Sequence, residues 1–146
     1  GGSLLMVGGY VSFQGIDGKA SWRRTAVEDV LPVTCLPYDD RVEIPEGTTP
    51  KIELPDHPVM AGFDGEWPLL LGVNEVELRE REDVEVIARL PDDQGGHPLL
   101  VLGRFGKGKT AAWTSDIGPH WLSPAFCEWE GYGRLWKNIL GWLTRD

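Results

Sequence analysis

At 146 residues, 41% hydrophobic and 25% charged, the chain has the length and balance of one globular domain with a core and falls outside the disordered class. Its formal net charge of −9 speaks against a nucleic-acid partner, since phosphates are met by clustered Lys and Arg. No apolar run approaches the roughly 18 residues of a membrane span, and the first residues lack the layout of a signal peptide. A cytoplasmic protein with no membrane partner is therefore expected. Cys35 and Cys127 are too few for a disulfide framework and lack metal-ligand spacing, so both read as small core or boundary residues. No metal or cofactor is called for.

Gly1-Gly2-Ser3 leads directly into Leu4-Leu5-Met6-Val7, a continuous apolar run of the kind found in a strand buried on both faces of a parallel sheet. Such a strand is an odd first element for a complete domain, so upstream strands and helices are expected to be absent. A gene product that starts within a few residues of Gly1 would contradict this. Val11 to Arg24 reads as a polar, Gly-punctuated loop. Thr25 and Glu28 have capping-box spacing ahead of a short helix over Ala26 to Leu31, which Pro32 ends.

The string VTCLPYDDR, Val33 to Arg41, carries the cluster Asp39-Asp40-Arg41, which reads either as a site or as a self-satisfied charged turn. From Val42 onward, Pro45, Gly47, Pro50, Pro55 and Pro58 divide the chain into pieces too short for helices. Strands are expected at Leu69 to Leu78, Val84 to Leu90, Pro98 to Phe105 and Thr110 to Ser115, with a turn at Asp92 to Gly96. Near the end, Trp129, Tyr132, Leu135, Trp136, Ile139, Leu140 and Leu143 recur at three- and four-residue spacing, which predicts an amphipathic helix over Glu128 to Leu143. No internal repeat is visible.

Gly103 to Thr110, GRFGKGKT, matches the phosphate-loop pattern literally, but that chemistry needs a helix after the loop. The residues that follow, Ala111-Ala112-Trp113-Thr114-Ser115, read as a strand, so a β-hairpin is expected and nucleotide binding is not. Asp116 and His120 follow the end of that strand, where open α/β sheets place ligand-binding groups. Hydrogen bonds from nearby amides to Asp116 would explain the same loop without a ligand.

The strings LLMVGGYVSFQG, LPVTCLPYDDR, GRFGKGKTAAWTSDIGPHW and EWEGYGRLW, in this order, resemble the class I glutamine amidotransferase-like family over nearly the whole chain. The resemblance implies an α/β fold, a flavodoxin-like three-layer sandwich with additional β-hairpins, of which residues 1–146 would be the C-terminal portion of a single domain. In working amidotransferases of this class the strand corresponding to Leu4–Val7 ends in a turn bearing a nucleophilic Cys. A His at a later strand end serves it, and a Glu two residues on orients the His. Here the nucleophile position falls on Gly8 or Gly9, the His position on Ser115 or Asp116, and no Glu stands two residues after His120. The usual glutaminase chemistry is therefore not expected.

Three functions compete. The first is a pseudoenzyme that binds a small molecule or a partner protein, with Gly8, Gly9, Tyr10 and Gln14 as the ligand-binding residues and Ser12, Asp116 and His120 lining the same cleft. The second is a hydrolase using Ser12 or Asp116 with His120, its oxyanion hole formed by the amides of Gly8 and Gly9. The third is a structural domain that buries its Trp residues against the missing N-terminal part or another domain.

Overall fold

The computed structural model describes residues 1–145. Its centre is a five-stranded sheet in the order β1-β9-β8-β7-β4, built from β1 (Leu4–Val7), β9 (Gly108–Trp113), β8 (Pro98–Phe105), β7 (Glu85–Arg89) and β4 (Lys51–Ile52). β1 runs parallel to β9, and the other neighbours are antiparallel. Two smaller pairs flank the sheet: β2 (Val33–Cys35) with β6 (Val76–Leu78), and β3 (Arg41–Thr48) with β5 (Leu70–Asn74).

Strand alternation gives the sheet two apolar faces. Met6, Ala112, Val101 and Val86 stand in register across four strands on one face. They pack with Val27 of helix α1 (Ala26–Val30), with Leu31, and with Val33, Cys35 and Val76 of the β2–β6 pair. On the other face, Ala111, Trp113, Leu100 and Leu102 meet Phe126 of α2 (Pro124–Glu128) and Leu135, Ile139 and Leu143 of α3 (Gly131–Thr144). The fold is thus α/β with helices on both faces of a mixed sheet. The α3 stripe is core, as its spacing predicts, at Leu135, Ile139 and Leu143, with Tyr132 and Trp136 partly buried against them, whereas Leu140 is 50% exposed.

Several boundaries differ from expectation. The helix predicted over Glu128 to Leu143 begins at Gly131 as α3, because Trp129 leaves the helical conformation at the end of the separate short helix α2. Its indole folds over Gly131, where a Cβ would come within 2.2 Å of the ring, and joins Phe63, Trp67 and Phe126. The strand predicted over Leu69 to Leu78 breaks at Glu75, and its two halves pair with different partners. β1 is an edge strand among the described residues: Leu4 and Met6 pack on one face of the sheet and Leu5 and Val7 on the other, but all except Met6 are only half-buried.

The expectations for the α1 cap, the β8–β9 hairpin and the two cysteines hold. Thr25 caps α1 by accepting from the Glu28 amide, and Glu28 reaches back to the amides of Arg24 and Cys35. The phosphate-loop look-alike is the β8–β9 hairpin, with Phe105 opposite Gly108. Gly106 has φ 57° at the first turn position, where a two-residue hairpin favours glycine. Gly108 does not need positive φ; it is glycine because the Gly2 carbonyl would sit 2.0 Å from a Cβ there. Cys35 is buried, and burial pushes its thiol up to about 12, with Glu28 adding to the shift; Cys127 is partly buried. Among the described residues, no helix is long and apolar enough to cross a membrane, and no three His, Cys, Asp or Glu side chains gather as a metal site.

Candidate functional site

The parallel pairing of β1 with β9 brings the turn after β1 beside the loop after β9, so Gly8-Gly9-Tyr10 and Asp116 to His120 form one site at the strand ends. Neither glycine has room for a side chain. A Cβ on Gly8 would lie 2.3 Å from the Thr114 carbonyl oxygen and 2.6 Å from Asn74 Oδ1. Gly9 has φ 136°, and a Cβ there would meet Asp116 Oδ1 at 2.7 Å. The turn where the resemblance implies a nucleophile is thus crowded by backbone at Gly8 and by the Asp116 side chain at Gly9.

The expected oxyanion hole is not formed by these glycines. The Gly8 amide donates to the Trp113 carbonyl at 2.7 Å, extending the parallel ladder, and the Gly9 amide donates to Asn74 Oδ1 at 2.8 Å. Asn74 Nδ2 donates in return to the Gly9 carbonyl and to Asp40 Oδ1. Asp40, 1% exposed, also accepts from the amides of Gln14 and Gly15 at 2.8 and 3.0 Å. Burial pushes the Asp40 carboxyl above its ordinary range, against the pull of these hydrogen bonds.

Gln14 belongs to this buried support and not to the groove. Its Nε2 donates to the Gly18 carbonyl, its Oε1 is buried without a partner among the described residues, and the side chain lines neither groove. Ser12 lines the groove, but its hydroxyl donates to the Val7 carbonyl at 2.5 Å and has no hydrogen bond to His120, so the structure does not assemble a Ser12–His120 pair.

Asp116 and His120 do come together. His120 Nδ1 lies 2.6 Å from Asp116 Oδ2, which also accepts from the Trp121 amide at 2.9 Å. Both the bond to His120 and the amide-held loop foreseen as its alternative are present. A carboxylate only accepts, so Nδ1 carries the proton toward Asp116, and in the neutral ring Nε2 is left as an acceptor. His120 has φ 142°, a strained value for a residue with a side chain. Trp113 Nε1 donates to the Asp116 carbonyl, and the Tyr132 hydroxyl donates to the Ile117 carbonyl, so the loop is tied to both the sheet and α3.

Tyr10 covers the other side. Its ring meets His120 edge-on at 4.6 Å, and its hydroxyl donates to Glu43 Oε1 at 2.5 Å, which raises the phenol pKa. Glu43 Oε2 accepts from Trp121 Nε1 at 3.2 Å. The Trp121 indole lies against Gly72, where a Cβ would come within 2.4 Å, and stacks on His120. Arg41 holds Asp39 through both carboxylate oxygens, which keeps that carboxyl well below the usual range, and its guanidinium sits 4.9 Å over the Tyr10 ring. The Asp39-Asp40-Arg41 cluster therefore divides into a self-satisfied pair and a buried acid.

Sequence reasoning did not single out Asn74, Glu43 or Trp121 for this site. An Asn inside an otherwise β-forming run was the available signal for the first. Two adjoining grooves, each of about 570 Å3, open here and share Gly8, Tyr10 and Asp116. Their rims expose Val11, Trp22 and Ile117.

A family model described as "Putative glutamine amidotransferase" matches residues 1–145. The chain belongs to this glutamine amidotransferase-like family. Among solved structures it is similar to Cytoplasmic Protein STM3548 from Salmonella typhimurium, with 43% identity and a TM-score of 0.90 over 100% of this chain and 56% of that one. It is also similar to Cytoplasmic Protein STM1381 from Salmonella typhimurium LT2, with 43% identity and a TM-score of 0.91 over 99% of this chain and 56% of that one. The amidotransferase-like chain thus spans a little over half the length of these neighbours. A search of curated proteins gave no match.

Proposed function

We propose that this amidotransferase-like chain performs no cysteine-dependent glutaminase reaction and instead binds a small molecule in the groove between Tyr10 and the Asp116–His120 pair, in a cytoplasmic setting. The observation that carries the reading is the closure of Gly8 and Gly9 by the Thr114 carbonyl and the Asp116 carboxylate. It removes the nucleophile while leaving an open groove lined by a polarised His and an aromatic ring. The similar structures, two proteins named as cytoplasmic, support the setting. For the alternative hydrolase reading, the hydrogen-bonded Asp116–His120 pair is the supporting observation, whereas the Ser12 hydroxyl is spent on the Val7 carbonyl.

The test is an amide-resolved NMR titration with a small-molecule library, alongside an assay for ammonia release from L-glutamine. No ammonia is expected. Binders should move the Gly9 amide and the Trp121 indole, and the double variant Tyr10→Ala, His120→Ala should lose the response. Binders that map elsewhere, or ammonia release, would overturn the reading.

A second reading, association with a further part of the polypeptide or another domain, is favoured by the unpaired edge of β1. Leu4-Leu5-Met6-Val7 carries no charge or proline of the kind that discourages strand addition. Rapid amide exchange along that edge in this chain, and slow exchange in a longer product, would support it; equal exchange in both would count against it.

A further inference from the structure

We infer that the groove selects an organic cation, an amine or guanidinium with an apolar body, and discriminates against anions. The inference rests on the binding reading above and adds the chemical class of the ligand.

The charges that line the groove all point one way. Across both adjoining grooves there is no Lys or Arg, and Asp116 is the one carboxylate. Arg41, which sits over the Tyr10 ring, is paired with Asp39, and Arg23 and Arg24, next in sequence to Trp22, do not line either groove. The two glycine amides that would otherwise cradle an oxyanion donate to Trp113 and Asn74. An anionic ligand would thus give up its hydration without meeting a positive charge or a free glycine amide.

A cation would find three kinds of partner. Asp116 Oδ2 is taken by His120 and Trp121, but Oδ1 has no hydrogen-bond partner among the described residues and lies beside Gly9. His120 Nε2 is an acceptor in the neutral ring. The Tyr10 ring already attracts a guanidinium, that of Arg41, as cation–π attraction predicts. Val11, Trp22 and Ile117, 77%, 38% and 57% exposed, offer apolar surface for the remainder of the ligand.

The test titrates the full chain at neutral pH with hexylamine, hexanoate and hexanol, three probes that share a tail and differ in head group. Hexylamine should shift the Gly9 amide and the Trp121 indole, and hexanoate should leave them in place. Asp116→Asn, which keeps an acceptor for the Trp121 amide, should weaken hexylamine roughly tenfold to a hundredfold. Added salt should weaken hexylamine and not hexanol, a check that holds even if the variant fails to fold. Hexanoate or hexanol binding as tightly as hexylamine would overturn the cation preference and leave the groove reading intact. Shifts caused by none of the three would overturn the cation preference, and the groove reading itself would fall only if the library also gave no response there.

Discussion

Two carboxylates stand by the Gly8-Gly9 turn, Asp40 linked to it through Asn74 and Asp116 lying beside Gly9, and their surroundings differ. Asp40 is buried, and both of its oxygens accept hydrogen bonds, three in all from Gln14, Gly15 and Asn74. Asp116 is partly exposed, shares one oxygen between His120 and Trp121, and turns the other toward the groove. The first is a saturated acid that fixes a loop, and the second retains capacity for a partner that is not part of the chain. Unfilled hydrogen-bonding capacity, and not burial or proximity to the turn, separates the functional candidate from the scaffold.

Substitutions can break this comparison at graded cost. Gly8→Ala should be the most disruptive, because its Cβ would drive into the Thr114 backbone rather than a movable side chain; a loss of about 3 kcal/mol in denaturant unfolding is expected. Asp40→Ala leaves three buried donors without their acceptor and should cost about 2 kcal/mol, with faster amide exchange at Gln14 and Gly15. The pH dependence has a definite sign. The folded Asp40 pKa lies above its ordinary 3.8, so the folded state holds this proton more tightly than the unfolded state. Its contribution is complete below that value and declines as pH rises through the folded pKa, a slope that Asp40→Asn should remove. Asp116→Asn should have the smallest effect on stability, under about 1 kcal/mol, and a large one on groove binding. If Asp116→Asn destabilised as much as Asp40→Ala, the distinction between the two acids would collapse.

Much of the fold was legible in local pattern. Pro98–Phe105 is a strand over the span its apolar run predicts, and the α3 stripe faces the sheet. The helix break at Trp129 was not, because it depends on an aromatic cluster gathered from distant segments. The same holds for the site. Asp116 and His120 could be paired from their spacing and their place after a strand. The fate of the Gly9 amide could not, since its acceptor Asn74 is 65 residues away. Two adjacent glycines read locally as exposed amides, and a long-range side chain has already claimed one of them.

The crowded space above Gly8 and Gly9 also bears on whether the turn could take a thiol by substitution. A Cys at either position would meet groups beside the turn: the Thr114 backbone and Asn74 at the first, the Asp116 carboxylate at the second. The two positions differ in what must yield, since backbone stands over Gly8 and a movable side chain over Gly9. A thiol at Gly8 would need the chain after β9 to shift, whereas one at Gly9 would need Asp116 to move and the new residue to accept a φ of 136°.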